Sequence, residues 1–266
     1  MGAMERATDQ LTGEVGSSGT PMDQEREEQR RTYVLCRLGF AFLSIALALA
    51  CMTWALSMAV FFPFPLFGWI RRSVFWHWVD IPIVWGSLVG TYLLWGRWSH
   101  PSWQRRSGLL LLMCLVDLVL WFLDHGNDLN LRLGDIGHDW FRSHLGRALG
   151  WAEFALITSL ACDFLVHLGI EQAREAGKAT RSLAATGAVV WMLLFSMQTS
   201  WRGWPLAPRG GMTPEMLLLI LGTEVIWMIT MLQVTALTIA AWRQSTRALM
   251  EMDREDQEND LLQFRS

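Results

Sequence analysis

Six runs of apolar residues, set off from one another by polar and charged stretches, constrain this chain more than any other feature. A bilayer core about 30 Å thick is crossed by roughly 20 apolar residues in helical form. The runs 33–62, 81–98, 109–123, 148–170, 183–201 and 214–242 reach or approach that length. The third is short, and the first and last are long enough to tilt or project. Because 52% of the residues are hydrophobic and only 18% charged, an ordinary soluble domain is excluded and a membrane is the expected solvent. The expected fold is all-α: a polytopic bundle of six transmembrane helices forming one domain over 33–242.

The flanks are polar. Residues 1–32 are rich in Glu, Arg, Gly and Ser and lack an apolar signal region, so they read as a disordered tail with a charged helical lead-in over 23–31 and no cleavable leader. Residues 243–266 read as a charged helix that leaves the membrane and frays. If both termini are cytoplasmic, 15 of the 22 Lys and Arg residues lie on that side and 7 on the other. This bias supports both ends inside and points to a bacterial cytoplasmic (inner) membrane. The net charge of −3 and the scattering of the basic residues leave no footprint for nucleic acid.

Within the spans, Asp117, Glu153, Asp163 and Glu224 are acids placed in hydrocarbon, and the only arginines inside the runs as drawn, Arg37 and Arg97, lie close to run ends where they can snorkel. A charged side chain near a helix centre costs roughly 2.5 to 3.5 kcal/mol on insertion scales, so such groups are protonated, hydrated, or holding a cation. Asp163 and His167 are four residues apart, and Glu153 and His167 fourteen, about 40° from eclipsed at 100° per residue. Asp117, Glu153, Asp163, His167 and Glu224 therefore sketch a polar file, with His167 as a relay near the inner mouth. The plainer alternative is that each acid is hydrogen-bonded to a neighbouring helix.

Asp163-x-x-x-His167 is also half of a metal site, since carboxylate and imidazole on successive turns can share one cation. The pair resembles, in reversed order, the His-x-x-x-Asp pairs of six-span cation diffusion facilitators. Those proteins carry a matching pair on a second helix, which no other span here supplies. A second cluster, Asp124, His125, Asp128, Asp135, His138, Asp139 and His144, holds three of the six histidines within 124–144. It offers ligands for a divalent metal without a recognised spacing, or a cation-attracting vestibule. Between these residues, Leu129-x-x-x-Leu133-x-x-Ile136-x-x-x-Trp140 has a helical apolar period, expected to lie flat on the outer surface.

Gly86-x-x-x-Gly90 puts two glycines on one helical face for close helix packing. The Pro-punctuated aromatic stretch 61–78 reads as an interfacial belt. The cysteines, Cys36, Cys51, Cys114 and Cys162, all fall in apolar runs without C-x-x-C spacing, so neither disulfides nor a thiolate zinc site is indicated. The sole lysine, Lys178, is in a loop, which excludes retinal, and a single intramembrane histidine argues against a bis-His haem. No nucleophile stands beside a base, so nothing marks an enzyme. The reading favoured is proton- or cation-linked transport through the intramembrane carboxylates. The alternatives are a non-catalytic scaffold subunit of a larger membrane complex, docking membrane-protein partners or its own copies, and a membrane metalloenzyme built on 124–144.

Overall fold

The computed structural model describes residues 21–59, 75–96, 98, 100–125, 139–202 and 214–263. Among these residues there are six helices and no strand: α1 Pro21–Ala59, α2 Phe75–Leu94, α3 Pro101–His125, α4 Asp139–His167, α5 Gln172–Arg202 and α6 Pro214–Gln263. Three contain stretches long and apolar enough to cross a membrane, Gln24–Leu56, Gly146–His167 and Leu221–Glu258, and Val79–Leu94 is a shorter apolar helix. The chain is an integral membrane protein in contact with lipid.

The helices run past the apolar limits drawn from sequence. The charged lead-in and the first run are one helix, and α6 continues far beyond Trp242. Their ends have local causes. Pro21, Pro101 and Pro214 each open a helix, where a missing N–H has no cost. At the start of α3, the His100 carbonyl accepts from the amides of Trp103 and Gln104 at 3.0 and 3.2 Å. α4 stops at a left-handed Gly169, φ 83°: the Ile170 amide reaches back to the Leu165 carbonyl and the Gly169 amide to that of Val166, both at 3.0 Å. That pattern is a Schellman closure, and it turns the chain sharply into α5.

Each helix packs against its neighbour in sequence, α6 returns to α1, and α4 also touches α6. Specific contacts show that neighbours run antiparallel. Gly39 of α1 lies against Gly90 and Leu94 of α2 while Gly86 faces Ala46; Gly177 of α5 lies against Cys162 while Gly187 faces Trp151. Arg26 and Arg30 near the start of α1 pair with Glu255, Asp256 and Asp253 near the end of α6. The N-terminal end of α1 and the C-terminal end of α6 therefore share one end of the bundle, called here the tail end.

Glycine and indole set the packing distances. Cβ atoms on Gly90 and Gly39 would each fall within 2.9 Å of the other's backbone oxygen, so α1 and α2 touch backbone to backbone. Gly187 and Gly150 give the same kind of space to the rings of Trp151 and Trp227. The Gly86-x-x-x-Gly90 face is thus turned inward onto α1. Large apolar side chains on α1, α2, α3, α5 and α6 remain exposed, whereas α4 has none over its described side chains and forms the centre.

Candidate functional site: a carboxylate chamber

A cavity of about 450 Å³ opens between α1, α2, α3, α4 and α6 in the half of the bundle away from the tail end. Asp117 from α3 and Glu153 from α4 both line it, and their carboxyls interact electrostatically. Glu153 Oε1 is buried and has no hydrogen-bond partner. The thiol of Cys114, one turn before Asp117, reaches the Glu153 carboxyl and also lies 3.6 Å from the Thr91 hydroxyl. In hydrocarbon an unmatched acceptor oxygen costs several kcal/mol. The chamber therefore has a reason to hold water, a proton or a cation at this point.

Two residues that the apolar runs excluded belong to this chamber. Asp80 and Arg147 both line it, and each falls one residue outside a run as drawn, at 81 and 148. The usable signal was the length of an arginine: a guanidinium at a helix end reaches more than one turn along the axis. Arg147 turns inward, its Nη2 2.9 Å from Glu224 Oε1 and 3.1 Å from Oε2. Trp54 Nε1 donates to Oε2 at 2.8 Å, and the guanidinium lies over the rings of Trp227 and Trp191 at 4.7 and 5.7 Å.

The expectation of four acids without counter-charge is therefore corrected for two of them. Glu224 has Arg147, and Asp163 has Arg106, whose Nη2 is 2.8 Å from Oδ2. Both arginines start outside the apolar runs and reach in along their helices. The Asp163 side chain is 45% exposed at the surface of the bundle, whereas that of Glu224 is 11% exposed. Asp117 and Glu153 are left as the interacting carboxyls, neither of them ion-paired to an arginine or lysine among the described residues.

Nor do the five residues of the expected file meet in one place. Asp163 and His167 line a second cavity of about 380 Å³ at the tail end, with Arg106, His100 and Trp98. His167 sits edge-on to Trp98, centroids 4.4 Å apart. Ten residues of α4, about 15 Å at 1.5 Å each, separate Glu153 from Asp163. The intervening side of α4 presents Ile157, Leu160 and Phe164, buried in one core with Phe40, Leu43 and Leu110. Buried apolar packing therefore lies along α4 between the two cavities.

Among the described residues, no three His, Cys, Asp or Glu side chains converge as a metal site. Of the cluster at 124–144, Asp128, Asp135 and His138 lie outside the described residues, as does the surface helix expected from Leu129 onward. Asp124 and His125 fall on the end of α3, and Asp139 and His144 on the start of α4, with their backbones alone described. The aromatic belt over 61–74 also lies outside. No protein-family model, no curated protein and no solved structure matches this chain.

Proposed function

We propose that this protein spans the membrane six times, with both termini cytoplasmic, and couples or carries a proton or small cation through the chamber of Asp117 and Glu153. Six crossings are supported by the apolar stripes on the less hydrophobic helices: Leu109, Leu112, Leu115, Val119 and Phe122 on α3, and Val189, Met192 and Leu193 on α5, all exposed. Side chains at three- and four-residue spacing on an outward face suit lipid. The start of α1 and the end of α6 lie together, and the excess of arginine counted on that side supports placing it in the cytoplasm.

The observation that carries the functional reading is the unpartnered Glu153 Oε1 in a cavity that Asp117 also lines, between the apolar helices. Two carboxyls in a low-dielectric site are stable when a positive charge, H⁺ or a cation, is shared between them. The apolar septum at Leu160 and Phe164 closes the route toward Asp163 and His167. Passage then requires a rearrangement, which favours a carrier or coupling device over an open pore. Reconstituted in liposomes with an internal pH dye, the wild type should dissipate an imposed proton or cation gradient. Asp117→Asn and Glu153→Gln should lower that rate at least tenfold; equal rates in all three proteins would refute the reading.

A scaffold role is the second reading, favoured by the ion-paired extension of α1 and α6 beyond the apolar core. From Arg243 to Gln263, α6 continues for about 30 Å, with Arg26 and Arg30 of α1 bound to its side. A ladder of charge projecting from a bundle is suited to docking another chain.

A further inference from the structure

The chamber is much larger than a proton or bare ion needs. About 450 Å³ lies within the range of sites that enclose small organic molecules, whereas one water takes about 30 Å³ of liquid. Its wall is chemically mixed. Asp80, Asp117 and Glu153 bring carboxyls from three helices, and the lining also includes Ala50, Ile83, Val84 and Met231, with the aromatic rings of Trp54 and Phe154. An occupant that matches both kinds of group has a cationic centre and a short hydrocarbon body.

Three observations narrow the class. The guanidinium of Arg147 is already held by Glu224 and stacked on Trp227, so the wall offers an anion no unengaged arginine there. The absence of three converging ligands among the described residues speaks against a divalent metal. The buried Glu153 Oε1 lacks a donor, and an N–H group of an occupant would supply one, as a quaternary ammonium cannot. The Trp54 indole, fixed by its bond to Glu224, presents an aromatic surface of the kind that favours a nearby cation.

We propose that this chamber binds a primary organic ammonium ion, its –NH₃⁺ group between Asp117 and Glu153 and its hydrocarbon part along Ile83, Val84 and Met231. This rests on the reading of Asp117 and Glu153 as the cation locus and names the class of cargo. No covalent step is involved; the ammonium takes the place of the shared proton or cation.

The test is calorimetric titration of the purified, detergent-solubilised full chain with 2-phenylethylamine, and with neutral 2-phenylethanol of similar shape. The expected result is saturable one-to-one binding of the amine, at least tenfold tighter than any binding of the alcohol. Glu153→Gln and Asp117→Asn, both nearly isosteric, should each weaken it tenfold or more. Val84→Phe, which fills the chamber without changing a carboxyl, should also weaken it. No saturable binding, equal binding of the alcohol, or binding unaffected by these substitutions would overturn the proposal. Gradient dissipation by the same wild-type preparation separates the two readings. Dissipation without amine binding removes only the organic cargo; binding without dissipation supports the site and removes only transport.

Discussion

Arg147 Nη2 bridges both carboxylate oxygens of Glu224, at 2.9 and 3.1 Å, and thereby ties the start of α4 to α6 in the part of the bundle that encloses the chamber. Trp54 of α1 completes the knot through Oε2. Three helices meet at one carboxylate, so its loss should be felt throughout the chamber wall.

Removing one partner of this pair should cost more than removing both. Arg147→Met leaves Glu224 buried with only the Trp54 indole, and breaking a buried pair from one side costs about 3 to 5 kcal/mol. The low end is expected, because Arg147 is 29% exposed. Arg147→Met/Glu224→Leu should recover most of the loss. Chemical unfolding in detergent, comparing the two single variants with the double variant, reads this directly; additive losses would argue against coupling.

Glycine substitutions should divide by location. At Gly90 an added Cβ would lie 2.8 Å from the Gly39 carbonyl oxygen, a backbone atom that cannot move aside cheaply. Gly90→Ala should destabilise the α1–α2 contact by about 1 to 3 kcal/mol. At Gly222 nothing lies within 4 Å, and alanine is the better helix former by about 1 kcal/mol. Gly222→Ala should therefore be neutral or stabilising in the same unfolding measurement.

The tail-end extension is held by charge at its surface. Arg26 lies 3.0 Å from both Glu255 and Asp256, and Arg30 lies 2.6 Å from Asp253. Exposed pairs contribute at most about 1 kcal/mol each and weaken with salt. Arg26→Glu/Arg30→Glu should place like charges along the contact and accelerate tryptic cleavage near Arg254 several-fold. The thermal midpoint of the membrane core should stay within 2–4 °C of wild type, the scale of roughly 1 kcal/mol in a chain of this size.

Topology can be read with thiol reagents because the native cysteines are shielded: Cys36, Cys114 and Cys162 are buried and Cys51 is half-buried. Glu25→Cys and Glu258→Cys should be labelled from the same side of sealed membranes by an impermeant maleimide. Arg209→Cys should be labelled from the opposite side. Labelling of positions 25 and 258 from different sides would contradict an even number of crossings.

Much of the helical architecture was legible because hydrocarbon thickness sets a length that can be counted along the chain. The charged continuations of α1 and α6 were legible as helix too; their pairing was not, since it is a contact between residues about 230 apart that no local pattern contains. The acids were legible as residues of unusual solvent. Their partners were not, because Arg147 and Arg106 start outside the apolar runs and only the folded course of their side chains brings them in. Asp163 and His167 share a helical face with Glu153, as periodicity requires, yet the packing of Phe40 against Phe164, ring centroids 5.3 Å apart, helps close the space between the two groups. Periodicity fixes direction from an axis; what fills that direction is a property of the neighbouring helices.

The central claim is that Asp117 and Glu153 share one exchangeable positive charge within the membrane, and infrared difference spectroscopy of the reconstituted protein reads those carboxyls directly. A protonated-carboxyl stretching band that changes when the pH or the bound cation is changed, and that is lost in Glu153→Gln or Asp117→Asn, is the expected result. A difference spectrum in that region that is the same in wild type and both variants would contradict the claim.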